Sequence, residues 1–377
     1  MENYDAIIVG GGLAGLSLAV QLSDRQRKVL LLEKNKYPFH RVCGEYISME
    51  SWDFLERLGI PLKQMNLPRI TQLRVTSVKG TVVDHPLGLG GFGISRYTLD
   101  STLAAIAKKK EAEVREECRA EEIICEGELF RVKTKNEEFR STVVIGAFGK
   151  RSNLDKKLNR SFELNPRPPS GNWVGVKYHV GSHVPENTIE LHNFDDGYCG
   201  ISKVEGEKYC LCYLTTAANL RRSNGSIREM EEKILSKNLF LKNYFSDRKR
   251  FLFEEPVTIS QITFENKLPV EKNILMMGDA AGMIAPLCGN GMSMALHASA
   301  IAVPVVEKFL QKEITRDQME KRYALQWRKL FSGRLNLGRM LQPLLVKSSL
   351  SNPTIAFLKH SSWLMSRIIS ATHGKPF

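Results

Sequence analysis

The 377-residue sequence is short of the features that mark membrane-spanning, secreted or nucleic-acid-reading proteins. It contains no run of about 18 uncharged apolar residues, which excludes the simplest transmembrane helix. The first residues, MENYD, pass straight into an apolar stretch without the basic segment and small-residue cleavage site of a secretory signal, so a cytoplasmic location is expected. Cysteine is sparse: seven residues, an odd number scattered along a long chain, read as reduced thiols and not as a disulfide framework. Cys210 and Cys212 alternate along a strand-like segment with no second Cys or His pair beside them in sequence, and no metal site is expected. Internal repeats, low-complexity linkers and recognisable nucleic-acid modules are also missing, so no nucleic-acid partner is expected. Acidic residues are outnumbered, 41 against 54 Lys and Arg, for a net charge of +13. A field of that sign favours anions, acidic partners or an anionic membrane surface. The excess is spread along the chain, with local clusters only at 108–110, 221–222 and 248–250, and reads mostly as solvated surface. With 42% hydrophobic and 25% charged residues, the chain can bury a large core divided between two domains.

The richest segment is AIIVGGGLAG, Ala6 to Gly15, where an apolar β run opens into a glycine turn and then an apolar helical pattern. Its G-x-G-x-x-G falls on Gly10, Gly12 and Gly15, and the acidic Glu33 ends a second apolar run about 20 residues on. Gly10 permits the tight turn, Gly12 lets a pyrophosphate approach the backbone, and Gly15 lets helix and strand lie close. The helix N-terminus supplies free N–H groups and positive dipole, and Glu33 is expected to accept hydrogen bonds from a ribose hydroxyl.

Further along, a helix is expected at SMESWDFLERLG, with Ser48 as N-cap and Gly59 as its stop, and residues 71–85 alternate as strands. The GLGGFG stretch at 88–93 neither follows a clear strand nor opens into a helix, and is read as a flexible turn. A helix follows over YTLDSTLAAIAKKK, then a strand over STVVIGAFG. Between about 165 and 265 short alternating stretches indicate an antiparallel sheet interrupted by a helical segment near 226–245. NILMMGDA then restores the strand-plus-glycine signature. The fold class expected is α/β: a Rossmann-like nucleotide domain from 1–165 and 268–335, an inserted sheet domain for substrate at 166–267, and a C-terminal helical segment at 336–377.

Four motifs in order carry a resemblance over nearly the whole chain: GGGLAG with Glu33, HRVCGE at 40–45, ISRYTLDSTL at 94–103 and MGDAAGMIAPLCGNGMSMAL at 277–296. Together they resemble the FAD-dependent aromatic hydroxylase and geranylgeranyl reductase superfamily (group A flavoprotein monooxygenase-like), whose FAD-binding domain is of the glutathione-reductase type. The resemblance implies that Gly278 and Asp279 lie near the flavin ribityl chain and pyrophosphate. It also implies that Pro286, Gly289 and Gly291 pass the isoalloxazine ring and start a helix facing it. Backbone N–H groups at such a helix start stabilise the negative charge of a reduced flavin, and side chains at Gly289, Asn290 and Gly291 would hold the backbone away from the ring. Arg41 and Arg96 offer forked permanent charges suited to phosphate or flavin carbonyl groups. The cofactor-binding set is completed by Ala14, Lys34, Gly44 and Met292, and the resemblance places Cys43 beside flavin and substrate as the catalytic candidate.

Two departures matter. Where the hydroxylases carry Asp-Gly, this chain has Phe148-Gly149 followed by Lys150, Arg151 and Ser152. That removes the carboxylate associated with the usual nicotinamide route. Where the reductases and flavin halogenases carry their tryptophan-containing sheet motifs, it has Tyr198-Cys199-Gly200-Ile201-Ser202, which argues against halogenation. The leading expectation is a monooxygenase acting on a lipophilic aromatic, polyketide or isoprenoid compound in a pocket lined by Trp173, Tyr178, Tyr198 and Tyr213. The alternatives are a reductase of carbon–carbon double bonds and a non-catalytic prenyl or lipid binder. The electron donor is NAD(P)H acting transiently or a donor protein. The apolar and basic C-terminal stretch reads either as an interfacial helix on a membrane or as a cover on the sheet domain with Leu, Ile and Trp363 facing inward.

Overall fold

The computed structural model describes residues 2–164, 172–285 and 289–377. The polypeptide forms two eight-stranded sheets with helices around them. In the first, Ile274–Met276, Glu138–Gly146, Asn3–Val9, Val29–Leu32 and Glu113–Arg115 lie side by side and parallel, with an antiparallel hairpin, Glu122–Glu126 and Leu129–Lys133, paired to Glu138–Gly146. Its central strands read as unbroken apolar runs because Ile7, Ile8, Leu30, Leu31, Val143 and Val144 are all buried, as expected of a parallel sheet covered on both faces. The helices Leu13–Ser23, Arg96–Lys109 and Gly291–Leu310 pack together beside it, and Ser17 Oγ donates to Ser299 Oγ at 2.7 Å between the first and the last of them. Among the described residues Gly291–Leu310 is the one helix long and apolar enough to cross a membrane, and half of that stretch is buried inside the fold.

The second sheet runs in the order Val257–Ile262, Trp173–Val180, Tyr209–Thr216, Gly197–Lys203, Thr188–Phe194, Arg69–Thr76, Val82–Gly93 and Tyr46–Ser48. Pairing is antiparallel throughout except between Thr188–Phe194 and Arg69–Thr76. The strands between residues 46 and 93 therefore sit in the second sheet, whereas the sequence reading gave all of 1–165 to the nucleotide half. The signal was ambiguous because pairing partners lie more than 100 residues away, as Leu73 with Ile189 does. The reading of 88–93 as a flexible turn is also corrected: those residues end the strand Val82–Gly93. Their glycines serve close approach between strands, since a Cβ on Gly93 would lie 1.8 Å from the Lys203 carbonyl oxygen and one on Gly91 2.4 Å from the Tyr46 ring.

One face of this sheet packs Val176, Tyr178, Leu211 and Tyr213 against Met230, Leu235, Leu241 and Phe245 of the helical segment that interrupts it. The other face turns toward the first sheet and the C-terminal helices. The helix Arg316–Val346 starts at a capping box formed by Thr315 and Gln318, well before the expected boundary at 336, and is followed by Ser348–Lys359 and Ser362–Thr372. Ile355, Leu358 and Met365 of the last two bury themselves on Ile70, Leu73, Val75, Val83 and Leu87. The C-terminal segment thus covers the sheet. Trp363, expected to face inward, instead stands 71% exposed, because the Ser362–Thr372 helix turns Met365, not Trp363, to the core.

Candidate functional site

Between the two sheets and under the C-terminal helices lies one continuous cavity of about 1410 Å³. That exceeds the roughly 300–1,000 Å³ typical of single-ligand pockets. One end is formed by the glycine turn, Glu33, Lys34, the loop from Phe39 to Tyr46, Arg96, the loop from Phe148 to Leu154, Met277 to Asp279, and Gly289, Gly291 and Met292. The other is formed by apolar residues of the second sheet, Leu73, Val75, Leu87, Ile259 and Ile262 among them, and by Leu341, Leu345, Phe357, Ile368 and Ile369 above.

The first end fits a dinucleotide. Gly10 adopts φ +111° with its missing Cβ pointing 2.3 Å from the Ala147 carbonyl oxygen, so only glycine makes this turn. Gly12 is the N-cap of Leu13–Ser23 and supplies no side-chain cap, leaving the first helical N–H groups for a ligand, and a Cβ there would meet only Arg96 Nη2 at 3.7 Å. Glu33 is buried: Oε2 accepts from the Gly11 N–H at 2.9 Å and from Arg41 Nη2 at 3.1 Å, while Oε1 accepts from the Asn35 N–H at 3.0 Å. Its carboxylate thus organises the turn as well as lining the cavity. Ala14, Lys34, Gly44, Gly278, Asp279, Gly289, Gly291 and Met292 line the same end. Gly15 lies behind it, pressed against the Gly10 carbonyl. Pro286 lies outside the described residues. Asn290 differs from expectation: it is fully buried behind the wall, and its Nδ2 donates to the Thr372 carbonyl, so its amide braces the C-terminal helix.

Arg41 and Arg96, read from sequence as ligands, are first of all partners of Asp100. Arg96 grips it with two prongs at 2.7 and 2.8 Å, and Arg41 Nε adds a third bond at 2.9 Å. Asp100 went unnoticed in the sequence, although its place four residues after Arg96 in a helix is the spacing of an ion pair. Both guanidiniums still face the cavity.

Cys43 lines the cavity, half-buried, in a loop held from behind. The Cys210 thiol donates to the Cys43 carbonyl at 3.2 Å. Two residues on, Glu45 is wholly buried with φ +56° and takes the Lys177 ammonium on Oε1, the His179 Nε2 at 2.6 Å on Oε2, and the Arg96 backbone N–H at 2.8 Å. Burial alone would raise the Glu45 pKa, but the His179 hydrogen bond and the Lys177 charge outweigh it and hold the carboxyl at about 2. Lys177 and His179 alternate on the strand Trp173–Val180, so both reach the same face. The ligating atoms of Glu45, His179 and Cys210 lie within 4.8 Å of one another. A metal ion there would have to displace the Lys177 ammonium. Sequence reasoning missed this cluster because Glu45 lies more than 130 residues from Lys177 and His179.

On the sheet, Tyr198 lines the cavity as expected. Tyr213 reaches its edge, but its hydroxyl donates to Glu231 at 2.8 Å on the far side. Trp173 and Tyr178 do not line it. Trp173 packs edge-on to Phe264 in a cluster beneath Tyr198, and Tyr178 faces the helical side against Phe251, since period-2 alternation sends Val176 and Tyr178 away from the cavity.

Compared with known proteins, residues 3–303 match the FAD binding domain family. The chain belongs to this family. It is an FAD-dependent oxidoreductase, and the glycine turn, the uncapped helix start and the cavity reaching from there to Gly278, Gly289 and Gly291 fit its cofactor. Among curated relatives it is 26% identical to digeranylgeranylglycerophospholipid reductase 2 of Methanothermobacter thermautotrophicus, over 90% of this chain and 86% of that one. Among solved structures it is similar to the flavin-dependent brominase Bmp2, with a TM-score of 0.79 at 16% identity over 98% of this chain and 93% of the other. A geranylgeranyl bacteriochlorophyll reductase-like protein of Thermoplasma acidophilum gives 0.78 at 18% identity over 100% and 97%. p-Nitrophenol 4-monooxygenase PnpA of Pseudomonas putida gives 0.78 at 14% over the whole of both chains.

Proposed function

We propose that this flavoprotein is a monooxygenase that hydroxylates a lipophilic aromatic, polyketide or isoprenoid compound, with the substrate held between the second sheet and the C-terminal helices. The observation that carries the reading is the single cavity, polar and glycine-lined at one end and apolar at the other, which sets an oil-soluble compound against the cofactor. In this reading Gly10 and Gly12 hold the pyrophosphate, Glu33 and Lys34 the nucleoside end, Gly278 and Asp279 the ribityl chain, and Gly289, Gly291 and Met292 the ring. The bound flavin supplies the redox chemistry. The protein orients the substrate, excludes water with Leu341, Leu345, Ile368 and Ile369, and offers the Cys43 thiol at the wall as a proton donor. Electrons come from NAD(P)H or a donor protein acting transiently, in keeping with a chain that carries no second nucleotide fingerprint.

Phe357 lines the cavity and is also 61% exposed, and Met340, Leu350 and Trp363 project nearby in the same helical segment among Lys347, Lys359 and Arg367. An apolar mouth with basic flanks suits peripheral contact with an anionic membrane from which a greasy substrate enters. Double-bond reduction is the second reading, favoured by the name of the 26% identical relative. Lipophilic phenols and prenyl lipids supplied to the holoenzyme with air, and again anaerobically with chemically reduced flavin, separate the two. Hydroxylated product only in the presence of oxygen is the expected result. A saturated product formed anaerobically would overturn it.

A further inference from the structure

Three cysteines meet at one place in the cavity wall. The strands Trp173–Val180 and Tyr209–Thr216 pair so that Gly175 faces Leu214, Lys177 faces Cys212 and His179 faces Cys210. The loop from Val42 to Glu45 runs along these three rungs. Val42 packs over the first, where a Cβ on Gly175 would lie 2.9 Å from its Cγ1. Glu45 holds Lys177 and His179, and the Cys43 carbonyl accepts from the Cys210 thiol at 3.2 Å. Cys43, between Val42 and Glu45, therefore lies over the middle rung, that of Lys177 and Cys212. Cys43 and Cys212 both line the cavity and both are half-buried, whereas Cys210 is buried behind the wall and committed to the loop carbonyl.

The two thiols differ in their surroundings. Reactive cysteines sit partly exposed beside cations, and Arg96 and Lys177 both lie within electrostatic reach of Cys43. Cys212 has the opposite character: burial pushes its thiol up to about 12, and of the groups around it Cys43 adds most to that rise. It stays protonated beside its neighbour. Among the described residues Cys125 is the exposed cysteine; it stands outside the cavity, where Asn273 Nδ2 donates to its sulfur at 3.6 Å.

We propose that Cys43 and Cys212 form a peroxide-sensing pair, in which Cys43 is oxidised first and Cys212 resolves it as an intramolecular disulfide. The oxidant is hydrogen peroxide, which a flavoenzyme yields when electrons reach oxygen with no substrate in place. The Cys43 sulfur attacks one peroxide oxygen: an S–O bond forms, the O–O bond breaks, and the departing hydroxide takes the thiol proton and leaves as water. The Cys212 sulfur then attacks the Cys43 sulfenic acid: the S–S bond forms, the S–O bond breaks, and hydroxide leaves with the Cys212 proton as a second water. Two thiols are oxidised by two electrons and one peroxide is reduced to two waters. The closed bond ties the 42–45 loop to the sheet floor and removes the thiol at the wall, so a cavity idling in air shuts until a dithiol reductant reopens it. The bond itself does not depend on which compound the cavity takes, and its test reads the bond and not turnover.

The experiment treats the reduced holoprotein with equimolar hydrogen peroxide, alkylates the remaining thiols at intervals and maps the peptides by mass. In the wild type Cys43 loses its alkylatable thiol ~10-fold faster than the exposed Cys125. A peptide pair joining Cys43 to Cys212 appears, lighter than its parts by two hydrogens, and dithiothreitol reverses it. Cys212→Ser, with wild-type flavin content, stops at the Cys43 sulfenic acid, which dimedone captures, and Cys210→Ser still forms the Cys43–Cys212 bond. In Cys43→Ser the Cys212 thiol survives the treatment. Oxidation of Cys43 no faster than that of Cys125 overturns the proposal, as does a Cys43 that passes to sulfinic acid in the wild type with no cross-link, or one that pairs instead with Cys210 or Cys288.

Discussion

Two glycines three residues apart in the same turn respond oppositely to a single added methyl. At Gly15 a Cβ would lie 2.1 Å from the Gly10 carbonyl oxygen and 3.1 Å from Ile8 Cγ2, and backbone cannot step aside, so the helix must lift off the strand. Gly15→Ala carries an overpacking cost of about 1–3 kcal/mol, and the roughly 1 kcal/mol that alanine gains over glycine inside a helix offsets only part of it. At Gly12 the nearest atom to a Cβ is Arg96 Nη2 at 3.7 Å, an ordinary contact, and the backbone at φ −89° and ψ −173° suits any residue. Gly12→Ala is expected to cost the apoprotein only about 0.5 kcal/mol at the N-cap. What it blocks is the approach of pyrophosphate to the helix start. Losing one or two charge-assisted hydrogen bonds, about 3 kcal/mol together, weakens FAD binding about 100-fold. Thermal melts of the two apoproteins and titration of each with FAD by flavin fluorescence separate the effects. The reasoning is refuted if Gly12→Ala destabilises the apoprotein as much as Gly15→Ala, or if it binds FAD within threefold of the wild type.

Glu45→Gln strands the buried Lys177 ammonium and should cost about 3–5 kcal/mol in urea denaturation at neutral pH, and Glu45→Gln with Lys177→Met should recover much of that loss. Because the folded pKa of Glu45 lies below its usual 4.5, its stabilisation is complete above that value and fades as pH falls toward 2; the wild type loses this contribution on acidification and the double variant does not. His297, stacked on Phe377 with ring centroids 4.0 Å apart, is held down to about 4 by burial and then by Arg334. It is a base buried neutral, so its contribution is present above pH 6.5 and lost as pH falls through 4, by about 2 kcal/mol after allowing for its contact with solvent. His297→Gln should flatten the stability profile across that window, and an unchanged slope would refute the assignment.

The parts of this molecule that could be read in advance are those whose meaning is local. The glycine turn, Glu33, the helix capped by Ser95 and the strand before Gly278 each need only a few neighbours in sequence to be what they are. The parts that could not be read are made by distance. Residues 88–93, which end the strand Val82–Gly93, looked like a turn because their glycines answer to Lys203 and Tyr46, which the local pattern does not contain. Tyr178 was placed in the cavity because aromatic content says nothing of which face of a strand a residue takes, whereas Trp173 shares the cavity-side parity of Gly175 and is kept from the lining by packing on Phe264. Arg41 looked like a free cation because Asp100, paired within its own helix to Arg96, reaches Arg41 only when the loop before Cys43 folds against the helix Arg96–Lys109.

The same division explains why the cofactor was legible and the substrate was not. The nucleotide end is built from backbone: N–H groups, absent side chains and a helix start, whose requirements leave a trace in every residue they touch. The substrate end is built from side chains of a sheet whose strands come from residues 46 to 262 and a roof that comes from residues 341 to 369, and almost any apolar residue satisfies either. Selectivity among oily compounds by apolar contact alone is worth only ~1–3 kcal/mol per methylene. A choice of substrate on such a surface must therefore rest on the polar groups that break it, and in this cavity those include Cys43, Cys212, Tyr198, Ser202, Thr258 and His373.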